Sequence, residues 1–101
     1  MDFSQMNEEI IATAQGYCDT YSIEPSKEFA VLKLYEEVGE FAQAFLIHER
    51  MSRPEKFMDE KDSRERMAQE LADVVGMSLF VAHVLGIDME KALQKKWTNR
   101  V

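Results

Sequence analysis

The sequence predicts an all-α protein of about four helices, its bundle core completed by dimerisation. Three observations lead there. Apolar residues recur at three- and four-residue steps through most of the chain. No run alternates β-branched with polar residues, and neither Asn-Gly nor Asp-Gly occurs, so strand and hairpin signals are missing. Only 4 Gly and 2 Pro stand among 101 residues, which leaves long segments unbroken. A chain of this length fits one domain, residues 1–101, with little room for a second.

The first helix is expected over Ser4 to Tyr21, where Phe3, Met6, Ile10, Ala14, Tyr17 and Tyr21 keep helical spacing. Pro25, flanked by Ser22 and Ser26, marks a turn, and Ser26 is placed to cap the second helix. That helix runs from Ser26 to Glu49. Ala30, Val31, Leu34, Tyr35, Val38, Phe41, Ala42 and Phe45 form a broad apolar arc centred near Val38. The polar stretch from Met51 to Asp62 has no clean period and contains Pro54, so it reads as a loop with at most a short helical turn. The third helix is expected from Asp62, with Asp62 and Glu65 at capping-box spacing, to Leu85, where Gly86 suits the left-handed position that ends a helix. Its second half, Val74 to Leu85, is apolar on nearly every side, which calls for burial all round. So small a domain can hardly surround a helix, so a partner subunit is expected to cover part of it. Asp88 caps a short fourth helix, Met89 to Asn99, with Trp97 packed on the body.

Charge narrows the function. Lys and Arg number 12 against 19 Asp and Glu, a net charge of −7. Nucleic-acid polymers are poor partners for such a surface, because they are held chiefly through cations on phosphates. No stretch approaches the roughly 20 apolar residues that span a bilayer. The N-terminus shows no secretory pattern, and a single cysteine, Cys18, cannot form an internal disulfide, so a cytoplasmic setting is expected. Cys18 reads as a packing residue and His48 as a favourable cation at a helix C-terminus.

Two acidic runs carry the chemistry: Glu36-Glu37-Val38-Gly39-Glu40 and Glu70-Leu71-Ala72-Asp73. At about 100° per residue, Glu37 and Glu40 project from one side of their helix, as do Glu70 and Asp73. Glu37 falls about 100° from Val38, at the margin of the apolar arc. Glu70 aligns with Met77, which draws it toward a helix seam. Pairing the two helices would gather four acids, and a divalent cation would relieve their repulsion; hard oxygen ligands suit Mg²⁺ or Mn²⁺. The plainer alternative is a solvated acidic face, stabilised by pairs such as Lys33–Glu37 and Arg66–Glu70. A di-iron bundle is disfavoured, since such sites use Glu-x-x-His and Phe45 and Phe80 stand three residues before His48 and His83.

Lys33-Leu34-Tyr35-Glu36-Glu37-Val38-Gly39-Glu40-Phe41, followed by Glu70-Leu71-Ala72-Asp73-Val74-Val75, resembles the MazG-like branch of the all-α nucleoside triphosphate pyrophosphatases, marked by EExxE and a later ExxD. Lys95-Lys96-Trp97-Thr98-Asn99-Arg100 is similar to the family's Lys…Asn element. The resemblance implies cleavage of a nucleoside triphosphate substrate between its α- and β-phosphates with Mg²⁺, by a homodimer or homotetramer, in nucleotide-pool housekeeping. It implies Glu37, Glu40, Glu70 and Asp73 as metal ligands, Glu36 as a further catalytic acid orienting water, and Lys33, Lys95 and Asn99 as contacts to phosphate or sugar. Gln43 stands where some relatives have a further acid. The aromatics ahead of the first motif, Tyr21 and Phe29, form no distinctive base-stacking pattern. A helical oligomerisation or regulatory module without catalysis is the competing function.

Overall fold

A computed structural model describes residues 1–98. Four α-helices follow in order: α1 (Phe3–Thr20), α2 (Lys27–His48), α3 (Glu60–Val84) and α4 (Met89–Leu93). A 3₁₀ turn, Pro54–Lys56, sits between α2 and α3, and a π turn, Gln94–Thr98, continues α4. No strand occurs among the described residues. The fold is all-α, as the periodicity predicts. Asn99, the expected end of the last helix, lies outside the described residues.

Each long helix begins on a side-chain cap. Asp2 accepts from the Gln5 amide at 2.9 Å while the Gln5 side chain accepts from the Asp2 amide at 3.1 Å, a reciprocal capping box. Ser26 caps α2 by accepting from the Phe29 amide. For α3 the cap is Asp59, not Asp62: the Asp59 carboxylate accepts from the Asp62 amide at 2.7 Å. Asp62 thus falls inside the first turn, where a negative side chain favours the positive helix end. Asp88 caps α4 as predicted.

The same device ends all three long helices. A residue with positive φ follows, and the next amide reaches back to a carbonyl five residues earlier: Ile23 to Cys18, Met51 to Leu46, Ile87 to Ala82, each at 2.8 Å. Gly86 takes this conformation (φ 71°) without steric penalty, whereas Ser22 (φ 54°) and Arg50 (φ 56°) take it with a Cβ present.

Helices α2 and α3 form an antiparallel hairpin. At its loop end His48 Nδ1 and Ser63 Oγ lie 2.7 Å apart; since the Ser63 hydroxyl donates to the Glu60 carbonyl, His48 Nδ1 is the donor. The Arg50 guanidinium lies 5.0 Å from the centre of the Phe57 ring. Toward the other end, Cys18, Ala30 and Phe80 form the fully buried core, with Ala14, Ile23, Phe29, Met77, Val81 and Val84 around it. Cys18 is therefore a packing residue, and burial raises the pKa of its thiol, with Asp19 adding to the rise.

The structure corrects two packing expectations. The face of α2 turned to α3 carries Ala30, Glu37, Ala44 and Ile47 rather than the arc around Val38, which is 46% exposed, as is Tyr35 at 72%. Trp97 is 64% exposed and does not pack α4 onto the body. In α3, Leu79, Phe80 and Ala82 are buried, but Leu71 and Val75 face solvent in the single chain.

Candidate functional site

The shift of the α2 seam by about one residue's rotation sets the chemistry. Glu37, expected at the margin, lies in the seam and is 7% exposed. Ala30 and Ala44, two turns before and two after, are small enough for α3 to approach across it. From α3, Glu70 and Asp73 meet it: one carboxylate oxygen each of Glu37, Glu70 and Asp73 lie within 4.8 Å of one another. Glu36, Glu37 and Glu40 form a second such group, with Glu37 common to both. The Glu40 carboxylate lies near enough to both Glu37 and Glu70 to raise their pKa values. The antiparallel hairpin thus gathers the four acids expected as metal ligands, with Glu36 at the exposed edge.

The electrostatics are unfavourable without a counter-charge. Burial, then the nearby Glu40 and Asp73 carboxylates, push the Glu37 pKa up to about 7 against the partial relief of Lys33. The same causes raise Glu70, against Arg66. One oxygen of each, Glu37 Oε2 and Glu70 Oε2, is buried with no hydrogen-bond partner. A buried carboxylate oxygen without a donor is costly. Two such oxygens, from facing helices in an all-carboxylate cluster, fit a hard divalent cation, and the residues present could hold one. The solvated-face alternative fails at Glu37, which is buried rather than solvated.

Lys33 stands over this cluster. Its ammonium donates to Glu36 at 2.6 Å, lies 3.7 Å from Glu37, and sits 5.6 Å from the centre of the Tyr17 ring. The hydrogen bond to Glu36 raises its pKa further. Beside Lys33 a cleft of about 590 Å³ opens between α1, α2 and α3. Glu37 and Asp73 border it at one end; Ile10, Tyr17, Phe29 and Met77 supply its apolar walls. Gly76 brings α3 close to α1, since a Cβ there would lie 3.7 Å from Ile10 Cγ2.

Lys95 is exposed on the π turn and borders neither this cleft nor the acids. The structure does not bring it to the site. Asn99 lies outside the described residues. Of the two aromatics noted ahead of the first motif, Phe29 lines the cleft and Tyr21 does not. Tyr17 does, together with Met6, Ile10 and Ala14. These four belong to the apolar stripe of α1, so the signal for a cleft wall was present in the periodicity but reads there as core. His83 is exposed, with its ring near the Gln15 amide nitrogen at 3.3 Å and stacked 6.4 Å from Phe80; it is no part of the site.

Among the described residues, no single helix is long and apolar enough to cross a membrane. The model of the MazG-like family matches residues 34–101, which include both acidic motifs and exclude α1. No curated protein and no solved structure gives a significant match to the chain.

Proposed function

The chain belongs to the MazG-like family, and we propose that it is a Mg²⁺-dependent nucleoside triphosphate pyrophosphohydrolase. It acts on the bond between the α- and β-phosphates, releasing a nucleoside monophosphate and pyrophosphate, in the housekeeping of the nucleotide pool. One observation carries this reading: carboxylates from two helices, two of them with a buried oxygen that has no hydrogen-bond partner, meet at the end of an apolar cleft.

The residues divide the work. Glu37, Glu40, Glu70 and Asp73 would hold Mg²⁺, or Mn²⁺ on the same oxygen set. When bound, the metal supplies neutralisation of phosphate charge and a more acidic water. The oxygen of a water bonds to the α-phosphorus as the bond from that phosphorus to the α–β bridging oxygen breaks. The bridging oxygen leaves with pyrophosphate, and the attacking water gives up a proton to solvent. Glu36, exposed beside Glu37, orients that water. Lys33 borders the cleft and meets the α-phosphate, exchanging its bond with Glu36 for one with substrate. Tyr17, Phe29 and Met77 enclose the nucleoside. The apolar faces left open on α2 and α3 are covered by a second copy, giving a homodimer or homotetramer.

Incubating the protein with a panel of nucleoside triphosphates and Mg²⁺ should release pyrophosphate. Glu40→Gln and Asp73→Asn should each lower kcat/KM by about 100-fold or more, since even outer-shell partners of metal ligands cost up to that much. Unaltered turnover in both variants would contradict the assignment. Silence across the panel, together with no Mg²⁺ binding, would favour the non-catalytic module.

A further inference from the structure

The acid cluster has two ends. Along α2 the order is Lys33, Glu37, Glu40, Gln43, Ile47; along the antiparallel α3 it is Asp73, Glu70, Arg66 against the same direction. The apolar cleft borders the Lys33 and Asp73 end. At the Gln43 and Arg66 end a second cleft, about 320 Å³, is lined by Gln43, Leu46, Ile47, Ser52, Lys56 and Arg66. Two cations face it and no carboxylate lines it, in a chain of net charge −7.

We propose that this second cleft receives the β- and γ-phosphates of the substrate, and hence the departing pyrophosphate, with Lys56 and Arg66 as its anion-binding residues. The assignment rests on the pyrophosphohydrolase reading and adds a direction to it: nucleoside toward α1, phosphate tail toward the 3₁₀ turn.

Three observations support it. Arg66 lies one turn, about 6 Å along the axis, before Glu70, so the cleft adjoins the cluster. Among the described residues neither Lys56 nor Arg66 forms an ion pair, whereas Lys33 and Arg53 do. The two cations are therefore free to exchange water for phosphate oxygens. Gln43 and Ser52 add neutral donors, which suit an anion that a carboxylate would repel. The shape of the loop follows: Pro54 starts the 3₁₀ turn, and the Lys56 amide closes it on the Arg53 carbonyl at 2.9 Å, fixing the backbone that carries Lys56. Lys95, offered by the family resemblance as a phosphate contact, lines neither cleft in the single chain, whereas Lys56 and Arg66 line this one.

The test measures binding of inorganic pyrophosphate to the full chain by calorimetry with Mg²⁺ present, beside inorganic phosphate and a nucleoside monophosphate. Lys56→Gln and Arg66→Gln should each weaken pyrophosphate binding about tenfold, the loss of one charge-assisted hydrogen bond. Each should leave monophosphate binding within about twofold, and Arg66→Lys should recover part of the loss. Lys56→Gln keeps the test open if Arg66→Gln disturbs Glu70, because Lys56 is exposed on the 3₁₀ turn, outside the α-helices. Pyrophosphate affinity unchanged in both variants, equal losses for monophosphate, or inorganic phosphate binding as tightly as pyrophosphate would each overturn the proposal. A wild-type chain that binds pyrophosphate through these residues yet cleaves no triphosphate would sink the catalytic reading and leave the cleft. Cleavage with KM and pyrophosphate inhibition unmoved in both variants would do the reverse.

Discussion

Glu37 combines burial with like-charged neighbours, and that combination has a definite pH signature. Its pKa in the fold, about 7, stands above the ordinary glutamate value of 4.5. The folded state therefore binds the proton more tightly than the unfolded chain does. The associated stability is complete below about pH 4.5 and is lost as pH rises through about 7. Glu70 is raised as well and acts in the same direction. In EDTA the Tm should accordingly fall between pH 5 and pH 8, while Glu37→Gln should flatten that slope. Mg²⁺ binds the ionised form, so it should raise Tm more at pH 8 than at pH 5. Scanning fluorimetry across pH, with and without Mg²⁺, checks both; a Tm that climbs with pH in EDTA would contradict the burial of Glu37. The identity of the acids was legible in the chain, because EExxE and ExxD place pairs on one side of a helix. Their depth was not. Counting apolar side chains centres the α2 arc on Val38, yet the seam falls on Ala30, Glu37 and Ala44, where small residues and an acid give little hydrophobic signal.

Helix boundaries tell a similar story one level up. Ser26, Asp88 and Gly86 all act at the ends where their chemistry predicts them. The start of α3 was misplaced because Asp59 and Asp62 are both acceptable caps and Asp62 alone has Glu three residues on. Geometry selects Asp59. Asp59→Ala should therefore cost about 1 kcal/mol, and Asp62→Ala less than half of that, as a weaker interaction with the helix end. Urea denaturation of the two variants separates them; equal losses would contradict the cap. The ends near Tyr21 and Glu49 fall within a residue of where the sequence places them, but the positive φ at Ser22 and Arg50 is not legible, because neither residue advertises it. There the back-reaching amides of Ile23 and Met51 impose it. Trp97 was misjudged for a different reason: an aromatic on a short helix predicts packing only when the body offers a surface, and the π turn carries this one away.

The whole molecule is open. Its Cα radius of gyration is 15.9 Å, and it measures 43 × 43 × 24 Å. A compact chain of this length would have a radius near 13 Å. Leu32, Tyr35 and Val38 on α2, and Leu71 and Val75 on α3, remain exposed in stripes at helical spacing. Such stripes exceed what a solitary domain usually leaves in water. The expected result in sedimentation at micromolar concentration is a dimer or tetramer, and Tyr35→Glu combined with Val75→Glu should shift it toward monomer. A wild-type chain that sediments as a monomer would contradict a second copy as the cover. The apolar half of α3 already signals in the sequence a face that one small chain cannot cover, whereas the extent of the exposed α2 stripe is not legible, because its apolar residues read equally as a core-facing arc.

The wall formed by α1 has one more consequence. Helix α1, which bears Ile10 and Tyr17, is a stretch of chain separate from the one bearing the acids; it packs on the hairpin through Ala14 and Cys18 and leaves the cleft open beside them. Reagent and template are thus carried on different modules. On the proposed reading, changes at exposed cleft positions of α1 such as Met6 and Thr13 would retune which guest is admitted while leaving the acids untouched, which makes that leading rod a natural handle for redesigning selectivity.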